Sequence, residues 1–250
     1  VIVDRLRAAG CVYAEEEEAL LEEAASSAEE LEALVSQREA GLPLEPLLGW
    51  AVFCGARIVV RPGVFVPRRR TELLVAEARA LLAPGAVVVD LCCGSGAVGA
   101  ALLAGPAPIE LYLSDIDDDA ARCAVINVGS DAVVLTGDLF DPLPRALHGR
   151  VDVLVANAPY VPTAAIALMP PEARLHEARV ALDGGDDGLD VQRRVIGDAA
   201  HWLSPTGTLL VETSARQARA TAGLFRAAGL APRVIRSKEL DATVVAGALA

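Results

Sequence analysis

Two stretches of the sequence carry side chains whose types and spacing could do chemistry. In the first, a run of valines from Val87 ends in Asp90 and turns through Cys92, Cys93, Gly94, Ser95 and Gly96 toward Gly99. Glycine is needed where backbone must approach a ligand closely, and a helix start adds unpaired N–H groups. A nucleotide-like cofactor is expected over such a turn, at the carboxyl edge of a sheet. Taken alone, Gly94-x-Gly96-x-x-Gly99 also fits a dinucleotide fingerprint or a plain tight turn, so its surroundings must decide. The next apolar run ends in Ser114 and Asp115, which puts an acid where two ribose hydroxyls could donate to it. Asp117, Asp118 and Asp119 read instead as the acidic first turn of a helix. A third run leads into Gly137, Asp138 and Leu139. Asp138 is placed to take the exocyclic amine of an adenine while Leu139 packs on the ring, with loop capping the plainer role for such an acid.

The second stretch is Val153 to Tyr160, an apolar run that ends in Asn157, Ala158, Pro159 and Tyr160. It offers an amide acceptor, a rigid backbone carbonyl and a flat hydrophobic wall at the end of a strand beside the glycine loop. A planar substrate bearing an –NH₂ group suits all three. Asn157 Oδ1 and the Ala158 carbonyl can accept its two N–H bonds while Tyr160 covers its face.

The elements that must hold these loops follow from periodicity. From Thr71 onward, helices at 72–83, 97–104, 120–128, 189–203 and 215–228 interleave with strands at 86–90, 110–114, 132–136, 151–156 and 208–212. That rhythm predicts a mostly parallel sheet covered on both faces. Two further strands, 233–236 and 243–249, have no helix between them, and so short a connection permits an antiparallel last strand. Ahead of this domain, at 71–250, residues 1–43 read as a small helical lobe. Ser27 and Glu30 fit a capping box, and Gly41 and Pro43 supply a stop. Residues 44–70 read as a connector in which strands 56–60 and 64–66 form a β-hairpin around a type II turn at Arg61, Pro62 and Gly63.

Charge is unevenly spread. Residues 1–45 hold twelve acids against three arginines, a net of −9 out of the chain's −12. The acidic outer face of the lobe serves solubility most simply, and it could also dock a basic protein. A net negative chain sets itself against polyanionic partners, so nucleic acid is not expected. The cluster Arg68, Arg69 and Arg70 could grip a phosphate, but so short a run reads first as a solvated loop beside acids. The nineteen-residue uncharged stretch 91–109 is broken by glycines and prolines, which argues against a membrane helix. Five cysteines without a C-x-x-C pair and three scattered histidines point to reduced thiols, no metal and a cytoplasmic protein.

At these residues the chain resembles class I S-adenosylmethionine (SAM) methyltransferases, and more narrowly the HemK family of protein glutamine N5-methyltransferases that modify peptide-chain release factors. The likeness runs through Val66, Pro67, Arg68, Thr71 and Glu72, then 90–96, Asp115 with Ile116, 157–160, and 181–189. It implies a seven-stranded Rossmann-like α/β sheet behind a small helical lobe and a hairpin. It also implies SAM as cofactor, contacted by Cys92, Cys93, Gly94, Ser95, Gly96, Asp115, Leu139 and Asn157. Asp90, Ile116 and Asp138 complete the expected cofactor set. Asn157, Ala158, Pro159 and Tyr160 would hold the glutamine side chain of a protein substrate, a release factor or another protein with an exposed glutamine. The family pattern has Gly at position 92, Pro at 158 and Pro-Asp at 69–70, where this chain has Cys92, Ala158, Arg69 and Arg70.

Three other readings share parts of the pattern. An NAD-dependent oxidoreductase matches the glycine spacing but not the Asn157 to Tyr160 loop or the helix-free final strands. A nucleic-acid amino-methyltransferase would use the same Asn-x-Pro-aromatic device, against the net charge and without an evident basic domain. A non-catalytic SAM-fold subunit draws support only from Cys92 and Ala158.

Overall fold

The computed structural model describes all 250 residues. Seven strands form one sheet: β3 (Ala86–Leu91), β4 (Ile109–Asp115), β5 (Ala132–Thr136), β6 (Val151–Ala156), β7 (Leu203–Glu212), β8 (Leu230–Ser237) and β9 (Ala242–Leu249). Their spatial order is β5-β4-β3-β6-β7-β9-β8, parallel except for β9, which runs antiparallel to both of its neighbours. The last strand is therefore inserted next to β7, as the short connection between the final two strands allows.

Alternation along the strands sends side chains to two cores. Val88, Val153, Val155, Leu210 and Val244 face α5 (Glu72–Arg79), α6 (Ala97–Leu103) and α7 (Asp118–Val128), which contribute Leu74, Val98, Leu102 and Ala124. Val87, Val89, Leu154, Val211 and Val245 face the opposite way. There they meet Val195, Ile196 and Trp202 of α9 (Asp190–Trp202) and Phe225 of α10 (Ala218–Ala227). Burial on both faces explains why these strands read as unbroken apolar runs.

Strand order reverses at β3. The chain leaves it outward through β4 and β5, then returns to its other side with β6, so a crevice opens beyond the carboxyl ends of β3 and β6. Leu91 pairs with Ala156 in register, so the glycine loop and the loop beginning at Asn157 leave the sheet side by side.

The N-terminal region comprises α1 (Ile2–Ala8), α2 (Ala14–Ala24), α3 (Ala28–Glu39) and α4 (Leu44–Leu48), with Leu6, Ala14, Leu21 and Val35 fully buried between them. Leu44 and Leu48 pack on this same cluster, so the helical packing runs past Pro43, which caps α4. The capping box forms by half. The Ser27 side chain accepts from Glu30 N–H, but Glu30 reaches back to Ser26 instead of the Ser27 backbone. Buried Arg38 donates to Glu17 at 2.7 Å and to Glu172 at 2.7 Å, tying the lobe to α8 (Pro171–His176). No helix is long and apolar enough to cross a membrane.

The hairpin lies one step earlier than the sequence led us to expect. β1 (Trp50–Phe53) pairs with β2 (Ala56–Val59) across Cys54 and Gly55, both at positive φ (49° and 78°), as a two-residue turn requires. The turn at 61–64 does form, with Val64 N–H bonded to the Arg61 carbonyl at 3.1 Å and Gly63 at φ 84°. It leads into no strand, because the backbone of 63–66 is engaged from elsewhere. Gly63 bridges Glu177, and Val66 N–H donates to Glu177 Oε1.

Candidate active site

A cavity of about 710 Å³ fills the crevice. Its floor is the turn after β3. Asp90, Cys92, Cys93, Gly94 and Ser95 line it, whereas Gly96 does not. The three glycines divide their duties. Gly94, at φ 55°, faces open space: an added Cβ would meet nothing within 4 Å. Gly96 combines φ 74° with close approach to α7, where a Cβ would lie 2.8 Å from Ala124 Cβ. Gly99 sits under Leu113, 2.7 Å from where its Cβ would be. Of the three, only Gly94 leaves its backbone open to the cavity; the other two let α6 approach the sheet and α7.

These placements predict a separation of effects. Gly96→Ala adds left-handed strain to a backbone clash and is expected to destabilise the fold by about 2–4 kcal/mol, lowering Tm by roughly 5–15 °C. Gly94→Ala is expected to cost about 1–2 kcal/mol in stability while blocking the cofactor's approach. Thermal melts beside ligand titrations check both, and the pair is misassigned when Gly94→Ala binds cofactor normally.

Cys92 stands where the resembled pattern has glycine. It adopts φ 55°, a region that favours glycine, and burial with Asp115 and Asp90 nearby keeps its thiol protonated by raising its pKa. Asp90 is 2% exposed and accepts from Gly99 N–H at 3.1 Å, so it ties the end of β3 to α6. Burial, with Asp115 adding to it, pushes its pKa up to about 8.

Asp115 closes the turn from the side. Its Oδ2 accepts from Gly94 N–H at 2.8 Å and its Oδ1 from Asp117 N–H at 2.9 Å. Burial raises its pKa while those backbone bonds oppose the rise. Each oxygen keeps a second lone pair for a ribose hydroxyl. Ile116 and Leu139 supply apolar walls at the neighbouring ends of β4 and β5. Leu139 takes φ 49°, and its carbonyl accepts from Ser114 Oγ at 2.7 Å, fixing the loop. Asp138 also reaches the cavity, but its Oδ2 accepts from Arg194 at 2.7 Å, a partner the sequence did not suggest.

Across the floor, Asn157, Ala158, Pro159 and Tyr160 form the other wall. Asn157 Nδ2 donates to Thr71 Oγ1 at 3.3 Å, leaving Oδ1 without a partner, and no hydrogen bond within the chain engages the Ala158 carbonyl. Tyr160 donates its hydroxyl to Glu212 Oε1 at 3.2 Å. The segment 182–188 braces this loop. Val161 N–H donates to the Leu182 carbonyl, Gly184 N–H to the Val161 carbonyl, and Gln217 Nε2 to the Tyr160 carbonyl at 3.0 Å. A Cβ at Gly184 would lie 2.7 Å from the Pro159 carbonyl, so the brace depends on bare backbone.

The arginine cluster is engaged by acids. Arg68 donates to Glu177, while Arg70 lies 3.9 Å from Glu212 and Arg69 3.8 Å from Glu239. Glu177 and Glu212 each bury an oxygen with no hydrogen-bond partner. Glu212, like Gln217 and, on the cavity wall, Met169 and Val180, was absent from the sequence-derived site. Nothing local tells Glu212 from any other acid that closes an apolar run; only sheet order reveals that β7 delivers it behind Tyr160.

Residues 55–187 match the methyltransferase small domain family. A release factor glutamine methyltransferase of Geobacter sulfurreducens is 38% identical over 199 residues, spanning 78% of this chain and 69% of the relative. The enzyme of that name from Gloeobacter violaceus is 39% identical over 197 residues, spanning 76% and 68%. The chain belongs to the release factor glutamine methyltransferase family. Among solved structures, a methyltransferase from Pyrococcus furiosus (14% identity, TM-score 0.59, covering 78% of this chain and 90% of that one) shares the fold. So does the ribosomal protein L11 methylase of Lactobacillus delbrueckii subsp. bulgaricus (16%, TM-score 0.55, 77% and 84%).

SAM is accordingly the methyl donor of this methyltransferase. The residues present fit it: open space over Gly94, spare carboxylate lone pairs on Asp115 and apolar walls at Ile116 and Leu139 suit a glycine-cradled adenosine.

Proposed function

We propose that this methyltransferase modifies the side-chain amide nitrogen of a glutamine in a protein substrate, with a peptide-chain release factor as that substrate. One observation carries the reading. Asn157 Oδ1 and the Ala158 carbonyl are acceptors without partners on one wall of the cavity, and Gly94 faces the same cavity from the floor. Two acceptors beside a half-buried aromatic ring ask for a planar group with two N–H donors, which a primary carboxamide is.

When bound, SAM supplies an electrophilic methyl on a sulfonium. The protein's task is to aim a poor nucleophile, since an amide lone pair is delocalised into its carbonyl. Asn157 and Ala158 hold both amide hydrogens, fixing the nitrogen's orientation and favouring the positive charge that develops on it. Asp115 and the Gly94 backbone would hold the cofactor. No general base is needed, because the methylated nitrogen is acidic and gives its proton to water.

Incubation with labelled SAM and a lysate of its own source, followed by mass spectrometric mapping, is the test. The expected product is a release factor carrying one methyl on a glutamine side-chain nitrogen. Label confined to nucleic acid, or to another residue type, overturns the reading.

A further inference from the structure

We infer that Gln217 is a positioning residue: from outside the cavity, it sets where the loop that would grip the substrate amide stands. This rests on the carboxamide reading given above. Gln217 occupies the N-cap position of α10, yet its half-buried side chain does not cap that helix and does not line the cavity. It turns back toward the site instead. Nε2 donates to the Tyr160 carbonyl at 3.0 Å and to the Asp187 carbonyl at 3.1 Å, so one amide joins the loop after β6 to the segment 182–188.

Ser214 fixes which end of that amide faces the carbonyls. Its Oγ accepts from Gln217 N–H at 3.2 Å, which leaves its one proton to donate to Gln217 Oε1. A flipped amide would set Oε1 against two carbonyl oxygens, so only the observed orientation satisfies every group. Gly188 makes room for the contact. It lies at φ 76°, and a Cβ there would run into both the Tyr160 oxygen and Gln217 Nε2.

The effect reaches the proposed acceptors through the chain itself. The loop is fixed at its start, where Ala156 pairs with Leu91 and Val211. At its far end it is fixed by Gln217 and by Val161, whose N–H donates to the Leu182 carbonyl at 3.0 Å. Ala158 and Pro159 lie between these anchors. The Pro159 ring locks its φ, so a shift of the Tyr160 peptide passes back to the Ala158 carbonyl instead of being absorbed on the way. No partner in the chain holds that carbonyl directly, so the two ends of the loop set its place. A misplacement of about 1 Å at a reacting group is enough to cost roughly a hundredfold in rate.

The test uses the peptide around the glutamine mapped in the lysate experiment, and a second peptide in which a methyl ketone replaces that carboxamide. The ketone has the same shape but no N–H, so it gains nothing from either acceptor. Binding is measured with S-adenosylhomocysteine present, so nothing turns over, and kcat is measured with SAM. Wild-type protein is expected to prefer glutamine by roughly 10- to 100-fold, the cost of leaving two buried acceptors unpaired. Gln217→Glu keeps the size and the Ser214 contact but sets a carboxylate oxygen against the two carbonyls. It should cut the preference by about tenfold and kcat by about tenfold or more, with ketone binding and S-adenosylhomocysteine affinity within about threefold of wild type. Gln217→Met removes the donors without the repulsion and should act in the same direction; it decides alone where Gln217→Glu does not fold. Equal weakening of both peptides makes Gln217 merely structural and overturns its positioning role, as does wild-type preference with wild-type kcat. A wild-type protein that binds ketone and glutamine equally overturns the carboxamide reading, and this inference with it.

Discussion

Asn157→Ala should lower the turnover number by about a hundredfold or more while SAM affinity changes little. Alanine removes Oδ1, the acceptor that would fix one amide hydrogen and share the charge appearing on nitrogen as the methyl arrives. Groups aimed at developing charge in an enclosed site are worth about 10²–10³ in kcat each. The neighbouring Ala158 carbonyl remains and would still hold the other hydrogen, which limits the loss to one acceptor. Cofactor binding would rest mainly on other groups, since Gly94 and Asp115 lie on the floor and the β4 side of the cavity. Single-turnover kinetics at saturating SAM, with calorimetry for affinity, separates the two quantities. An unchanged turnover number removes Asn157 from the mechanism; a large loss of SAM affinity with normal turnover makes it a cofactor residue instead.

The contrast between Asn157 and Glu212 also shows what a sequence can disclose. Strand 151–156 is legible to the residue because a central strand packed on both faces is apolar at nearly every position, and 132–136, a half-exposed edge strand, because its β-branched run is bounded by turn residues. The glycine loop and Asn157 are legible for a related reason: each follows such a strand directly, so its place at the crevice is fixed by chain order. Features that depend on a distant partner leave no such trace. Cys54 takes a left-handed conformation that nothing about a cysteine announces, while Pro62 and Gly63 give a louder turn signal nearby, so the hairpin was expected in the wrong place. The fate of 63–66 was settled by Glu177, more than a hundred positions onward. Residues 163–181 fold as a single-turn helix and short 3₁₀ pieces, too brief for any periodicity to accumulate, yet they wall the cavity through Met169 and Val180. Asp138 illustrates the reverse: its position was foreseen and its partner, Arg194 on α9, was not.

Asp115→Ala is expected to act on binding and hardly on chemistry. The carboxylate has two jobs that alanine abolishes together. It is the acceptor for Gly94 and Asp117 N–H groups, which shapes the floor under the cofactor, and its remaining lone pairs are the ones a ribose diol would use. Hydrogen bonds to a charged acceptor are worth about 1.5–3 kcal/mol each, so losing both ribose contacts should weaken SAM by about a hundredfold at least. The reorganised loop adds to that loss. Asp115→Asn offers an informative intermediate, because it keeps one accepting oxygen and replaces the other by a donor; about a tenfold loss is expected there. Once enough SAM is supplied, turnover should recover in both variants, since the groups that would hold the amide stand on the opposite wall. Titration calorimetry gives the affinities directly, and wild-type affinity in Asp115→Ala would refute the ribose role. Turnover that stays low at saturating SAM would instead mean that the floor of the cavity, through Gly94, also sets where the methyl points.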